Sequence, residues 1–87
     1  MTGDLDDLRC FLAVVDTGSV AAAARSLGEA TTTVRRQVLG LEERLGVALL
    51  SREPGGARPT AAGRILADRG RVLVLAFDQL INQVRTG

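Results

Sequence analysis

Apolar residues recur at three- and four-residue steps through most of this chain, and four segments of that kind are separated by glycine-containing breaks. In the first, Asp4 to Asp16, Leu5, Leu8, Phe11, Leu12 and Val15 form one stripe. Acids at its start, where a helix dipole favours negative charge, predict an amphipathic helix ending before Gly18. Ser19 stands where an N-cap belongs, and the alanines of Val20 to Leu27 predict a second helix that another can approach closely, stopped by Gly28 in the left-handed conformation. After a short connection, Thr31 or a neighbour is expected to cap a third helix with Val34, Val38, Leu41 and Leu45 on its buried stripe and Gly46 at its end. The opposite face carries Thr32, Thr33, Arg35, Arg36, Leu39, Gly40 and Glu43.

The pattern then changes period. Val47 to Ser51 reads as a short strand, Pro54-Gly55-Gly56 as a turn and Ala57 to Thr60 as the returning strand, which Pro59 confines to an edge. Thr60 is placed to cap a last helix running from Ala61 to about Arg85, with Leu66, Leu73, Phe77, Leu80 and Val84 on one stripe and Ile65, Val72 and Ala76 beside it. A helix of ~25 residues is about 37 Å long. Its outer half outruns the compact part of so small a domain, so the stripe from Leu66 to Val84 is expected to pack against a second subunit. The reading is therefore mainly α: three helices, a two-stranded hairpin and a long final helix.

Composition bounds the function. Eighty-seven residues, 46% hydrophobic and 24% charged, describe one ordinary domain rather than a disordered tail. The longest apolar run, Val72 to Phe77, is far short of the ~20 residues that cross a bilayer, and Asp4, Asp6 and Asp7 replace the basic start of a signal peptide, so no membrane partner and a cytoplasmic location are expected. With Cys10 alone and no histidine, neither a disulfide nor a soft-ligand metal site is expected, nor a cofactor. No nucleophile with a base and no phosphate-cradling glycine loop is present, so an enzyme is not expected.

Net charge is only +1, which by itself argues weakly against nucleic acid. The distribution changes that picture. Residues 35 to 64 hold six arginines against three acids, net +3, whereas residues 1 to 34 hold two against five, net −3. All eleven basic residues are arginine, whose planar fork matches phosphates and guanine edges. Two helices joined by a tight turn and followed by a hairpin fit the helix-turn-helix arrangement, in which the second helix enters the major groove.

At this point the sequence resembles the amino-terminal domain of the LysR-type transcriptional regulators, from about Leu5 to Val84. The likeness is carried by Leu8 to Val14, Gly18-Ser19, Ala22 to Leu27, Arg36-Gln37-Val38, Leu41 to Gly46, Leu49 to Arg52 and Thr60 to Gly63. The resemblance implies a winged helix-turn-helix over 1–60 and a linker helix over 61–87 that pairs antiparallel in a homodimer. It implies double-stranded DNA as partner, a dyad-symmetric operator, transcriptional regulation as output, and a tetramer in the full-length bacterial protein. A larger carboxy-terminal domain that binds a small-molecule inducer is also implied, so the chain is expected to be part of a longer one. Two departures stand out. Ala30-Thr31-Thr32 replaces a usual Ser-Gln-Pro opening of the recognition helix, with Arg35 in place of a small hydroxyl residue, and in the wing Gly55-Gly56 replaces an often basic tip while Pro59 stands where a strand residue is usual.

The candidate DNA-binding residues are Ser19, Thr31, Thr32, Thr33, Arg35, Arg36, Arg52 and Arg58. Arg36 falls on the family's phosphate-contacting arginine; the alternative is an ion pair to Glu43. Arg35 is placed either for guanine O6 and N7 or for a phosphate. The threonines offer hydroxyls and methyls to bases, or serve as cap and first-turn residues, and Ser19 is a phosphate seat, an N-cap, or both. Arg52 is expected either at a phosphate or in an ion pair with Glu53, which favours Arg58 for DNA. A winged-helix module that binds only protein is the rival function.

Overall fold

The computed structural model describes residues 3–54 and 56–87. Helices α1 (Asp4–Thr17), α2 (Val20–Leu27) and α3 (Thr31–Leu45) precede strands β1 (Leu50–Glu53) and β2 (Gly56–Pro59), and α4 (Ala61–Thr86) closes the chain. This is the expected mainly α architecture with a two-stranded wing and a long last helix.

The breaks between helices fall on glycines for a steric reason. Gly18, Gly28 and Gly46 adopt φ of 88°, 68° and 69°, and each donates its amide back to the last turn of the helix before it. A side chain disfavours that left-handed conformation, so a helix ending there needs glycine. Ser19 caps α2 as expected, its Oγ accepting from Ala22 N at 3.0 Å, and Thr60 caps α4 by accepting from Gly63 N at 3.0 Å. The cap of α3 differs from expectation. Ala30 occupies the N-cap, makes no side-chain hydrogen bond, and leaves Thr31 as the first helical residue.

Phe11, Val14, Ala23, Val34 and Leu49 are almost wholly buried, and around them Leu8, Leu12, Val38, Leu41 and Ala67 complete one core shared by all four helices. Leu45, expected on the buried stripe of α3, is 52% exposed, because the helix ends at Gly46 with no core residue above that last turn. Cys10 is buried in α1, where its thiol donates to Gln37 Oε1 at 2.8 Å and burial pushes its ionisation up. Asp7 is also buried. Its Oδ2 accepts from Arg44 Nη2 at 2.6 Å, an ion pair that ties α1 to α3 and that Asp4 shares at 2.9 Å.

The first strand lies later than expected and the second one residue earlier. Val47 and Ala48 are exposed coil, and Leu49 points into the core while its amide is taken by Glu42 Oε2 at 2.7 Å. The antiparallel ladder begins only at Leu50, opposite Pro59, and runs through Ser51 with Arg58, Arg52 with Ala57 and Glu53 with Gly56. Pro59 sits at the strand end, where its missing N–H costs nothing. The expected turn Pro54-Gly55-Gly56 includes Gly55, which lies outside the described residues.

Helix α4 meets the body through small residues. Gly63, Ala67 and Gly70 are buried, so the first turns of α4 share the core and the division at residue 60 is a helix start, not a gap in packing. Arg71 bonds Asp16 and Arg9 bonds Asp78, holding α4 along α1 and depressing both carboxylates below their usual range. Beyond these contacts α4 extends free, and the molecule measures 47 × 25 × 23 Å.

Candidate nucleic-acid interface

Helix α3 is pinned on one side only. Val34, Val38 and Leu41 are buried against α1 and α2, which turns Arg35, Arg36, Thr32, Leu39 and Glu43 outward. At 100° per residue, Thr32, Arg36, Leu39 and Glu43 form the centre of this face and Arg35 its edge toward the wing. Thr31 and Thr33 are half-buried on the two flanks, so of the three candidate threonines only Thr32 faces squarely out.

Among the described residues, Arg9, Arg44, Arg58 and Arg71 are held in ion pairs within the chain, whereas Arg35, Arg36 and Arg52 are not. The alternative partner for Arg36, Glu43, is therefore not engaged. Two guanidinium groups project from one helix face with no ion-pair partner among the described residues, although Glu43 stands on the same face.

The wing is seated beside this face by two backbone contacts. Ala57 N donates to Gly18 O at 3.0 Å, and a Cβ at Gly56 would stand 2.6 Å from that same oxygen, so only glycine lets the wing come so near the turn between α1 and α2. The result is a cleft of about 290 Å³ between the start of α2, α3 and β1, lined by Ser19, Arg35, Leu39 and Arg52 among others. The first residues of α2 line this cleft, where a helix start leaves amides without intrahelical acceptors, and Glu42 and Glu53 share the lining with the two arginines.

Strand alternation sorts the two wing arginines. Arg52 and Ala57 are paired and line the cleft, as does Glu53 at the strand end, whereas Ser51 and Arg58 lie outside its lining. Glu53 pairs with Arg58, at 3.4 Å, and not with its chain neighbour Arg52. The Glu53 partner expected for Arg52 is thus taken by Arg58, and Arg52 lines the cleft with Ser19 and Arg35. Both partners of the Arg58 pair are largely exposed, so that pair is weak and does little for stability. Leu39, on the outward face but not among the candidate residues, is 46% exposed and lines both the cleft and the shallower groove on the other side of α3. An apolar residue in the middle of a charged face was the available signal.

The apolar stripe of α4 is open in the single chain. Leu73, Leu80 and Val84 are more than half exposed and Phe77 is 41% exposed, but Leu66 differs, being half-covered by the chain's own core. Ile65, Val72 and Leu75 add further exposed apolar surface. Among the described residues no single helix is long and apolar enough to cross a membrane.

The family model for bacterial regulatory helix-turn-helix proteins of the lysR family matches residues 5–64. The small neutral protease regulatory protein of Streptomyces coelicolor is 40% identical over 78 residues, which covers 90% of this chain and 24% of that relative. The chain thus spans about a quarter of the length of the curated relative it matches. Among solved structures, a BenM DBD–catB site 1 DNA complex superimposes with a TM-score of 0.91 at 32% identity, covering 97% of this chain and 93% of that one. Full-length CbnR complexed with its target DNA superimposes with a TM-score of 0.87 at 32% identity, over 95% of this chain and 29% of that one. With its fold and these likenesses in agreement, the chain belongs to the lysR family of bacterial regulatory helix-turn-helix proteins.

Proposed function

We propose that the outward face of α3 enters the major groove of a dyad-symmetric operator, with Arg36 on a phosphate, Arg35 at a base edge, and Ser19 with Arg52 on phosphates beside the groove. The observation that carries this reading is the single-sided pinning of α3, which leaves Arg35 and Arg36 exposed and without an ion-pair partner among the described residues. Thr32 is the threonine best placed to join them, and Thr31 and Thr33 serve mainly the first turn of the helix. Arg58 supports the wing and makes at most a peripheral contact.

The reading extends to a second copy of the chain. The open stripe of Leu73, Phe77, Leu80 and Val84 packs against its counterpart, which sets two reading helices at a fixed separation. The remainder of the regulator, which the relatives' lengths imply, would carry the inducer site and the higher assembly in the bacterial cytoplasm.

Fluorescence anisotropy on genomic duplex fragments tests the assignment of the reading face. Arg36→Ala weakens all duplexes and lowers the salt slope by about 1, because one phosphate contact and its counterion release are lost. Arg35→Ala instead changes the ranking of sequences, by ~1–3 kcal/mol where it pairs with guanine. Binding unaffected by either change would show that this face does not read DNA.

A further inference from the structure

Leu39 is covered only in part by the chain's own packing, on the side where it lines the cleft with Val20, Leu50 and Ala57. It does not belong to the core formed by Val34, Val38 and Leu41, it is 46% exposed, and its neighbours along the stripe are Thr32, Arg36 and Glu43, with Arg35 one turn back. Leaving a leucine side chain in water forgoes the stabilisation that burial gives, so the residue gains only if something apolar covers it.

What covers it can be argued from chemistry. Leu39 has no donor or acceptor, so it cannot pair with phosphate oxygens or with the polar atoms of a base edge. In a major groove the apolar group on offer is the C5-methyl of thymine. Leu39 lies about 12 Å along α3 from Thr31, one turn beyond Arg35, within the length of helix that a groove takes in. Gly40 beside it leaves room. A Cβ there would meet only Arg44 Nη1, at 3.7 Å, so nothing in the chain requires a glycine, and its absence of side chain lets a duplex approach closely next to Leu39. Glu43, one turn further, bounds the surface, since its carboxylate repels phosphate.

We propose that Leu39 is a specificity-determining residue that reads the C5-methyl of a thymine one helical turn from the position read by Arg35. This rests on the DNA-reading role of α3 proposed above and adds a base preference to it: thymine over cytosine at one position in each half-site.

The test separates the two. A high-affinity duplex is selected from a randomised pool with the unaltered chain, and each thymine is then replaced by deoxyuridine, which removes only the methyl group. Anisotropy should show a loss of about fourfold at one thymine per half-site, the value for one buried methyl-sized group. Leu39→Ala, on an exposed face and checked for unchanged melting, should bind the thymine duplex as weakly as the parent binds the deoxyuridine one and should not respond to that replacement. A parent indifferent to every replacement, or a Leu39→Ala protein that keeps the same loss, overturns the role of Leu39 while leaving the reading face intact. Failure of the parent to select any duplex overturns both.

Discussion

The same substitution, glycine to alanine, should act with opposite sign at two helical positions of this chain. Gly63 is the third residue of α4, and a Cβ on it would stand 2.1 Å from Leu49 O, 3.1 Å from the carbon of that carbonyl and 3.2 Å from Pro59 Cβ. The obstacle is backbone and is held from several sides. Leu49 O accepts from Thr60 N at 2.9 Å, Leu49 N donates to Glu42, and the Leu49 side chain is fully buried. Relief therefore requires α4 to move off the root of the wing. Overpacking of this kind costs about 1–3 kcal/mol, a strained hydrogen bond adds roughly 1, and the better helix propensity of alanine returns about 1. The net is a destabilisation of about 2 kcal/mol.

At Gly40 the balance reverses. The nearest atom to an added Cβ is the far end of the Arg44 side chain at 3.7 Å, an ordinary contact, so only the propensity gain of about 1 kcal/mol remains. For a domain of this size 1 kcal/mol moves the melting temperature by about 4–8 °C. Gly63→Ala should thus melt about 8–16 °C below the parent and Gly40→Ala about 4–8 °C above it, by circular dichroism at equal protein concentration, since assembly shifts apparent stability. A Gly63→Ala protein that melts at or above the parent would refute the contact argument; a Gly40→Ala protein that melts well below it would refute the claim that the chain does not need that glycine.

Three further outcomes follow from local geometry. Ala30→Ser should raise stability by about 1 kcal/mol in thermal melts, because Ala30 holds the N-cap of α3 with extended backbone and supplies no side-chain acceptor. Asp16 and Asp78 are held below the usual carboxylate range by hydrogen bonds from Arg71 and Arg9. A carboxylate depressed in the folded state stabilises fully above its unfolded value, about 3.9, and that contribution disappears as pH falls through the lower folded value. Melting should accordingly fall below pH ~4, and an Asp16→Asn, Asp78→Asn protein should show a shallower fall; an identical slope would refute the linkage. Leu73→Glu should yield a monomer by sedimentation equilibrium with its circular dichroism unchanged, and persistence of a dimer would reject the stripe of α4 as the dimer face.

The helices were legible because their signals are local. A stripe at helical period, a hydroxyl before it and a glycine after it are written within a few residues, and Gly18, Gly28, Gly46, Ser19 and Thr60 all act as such signals predict. The wing was legible from its turn residues but the bounds of its first strand were not, because Val47 to Leu50 has the apolar character of a strand while most of β1 is the exposed, polar run Ser51, Arg52 and Glu53. With only Leu50 and Ala57 packed against the core, the ribbon carries little period-two pattern to read. Long-range pairings were equally hidden. Acids in the first turn of α1 suggested only a dipole contact, yet Asp7 turns inward to Arg44, 37 residues later, and Arg58 takes Glu53 because the pleat sets Arg52 on the other side.

What links the ends of the molecule is the way α4 is attached. Gly63, Ala67 and Gly70 follow each other at four and three residues, a narrow line of small side chains, and a Cβ on Gly70 would stand only 2.9 Å from Leu8 Cδ1. The backbone of α4 therefore lies close against α1, flanked by the pairs Arg71 with Asp16 and Arg9 with Asp78. The stripe Leu73, Phe77, Leu80 and Val84 lies about a quarter turn around the same helix, so one element presents a close-packed face to its own domain and an open apolar face beside it. Since α1 also packs on α3 through the shared core and the Asp7–Arg44 pair, a partner seated on the open face, as proposed, would set the orientation of the arginines of α3 through packed contacts, with no loop between them to absorb it.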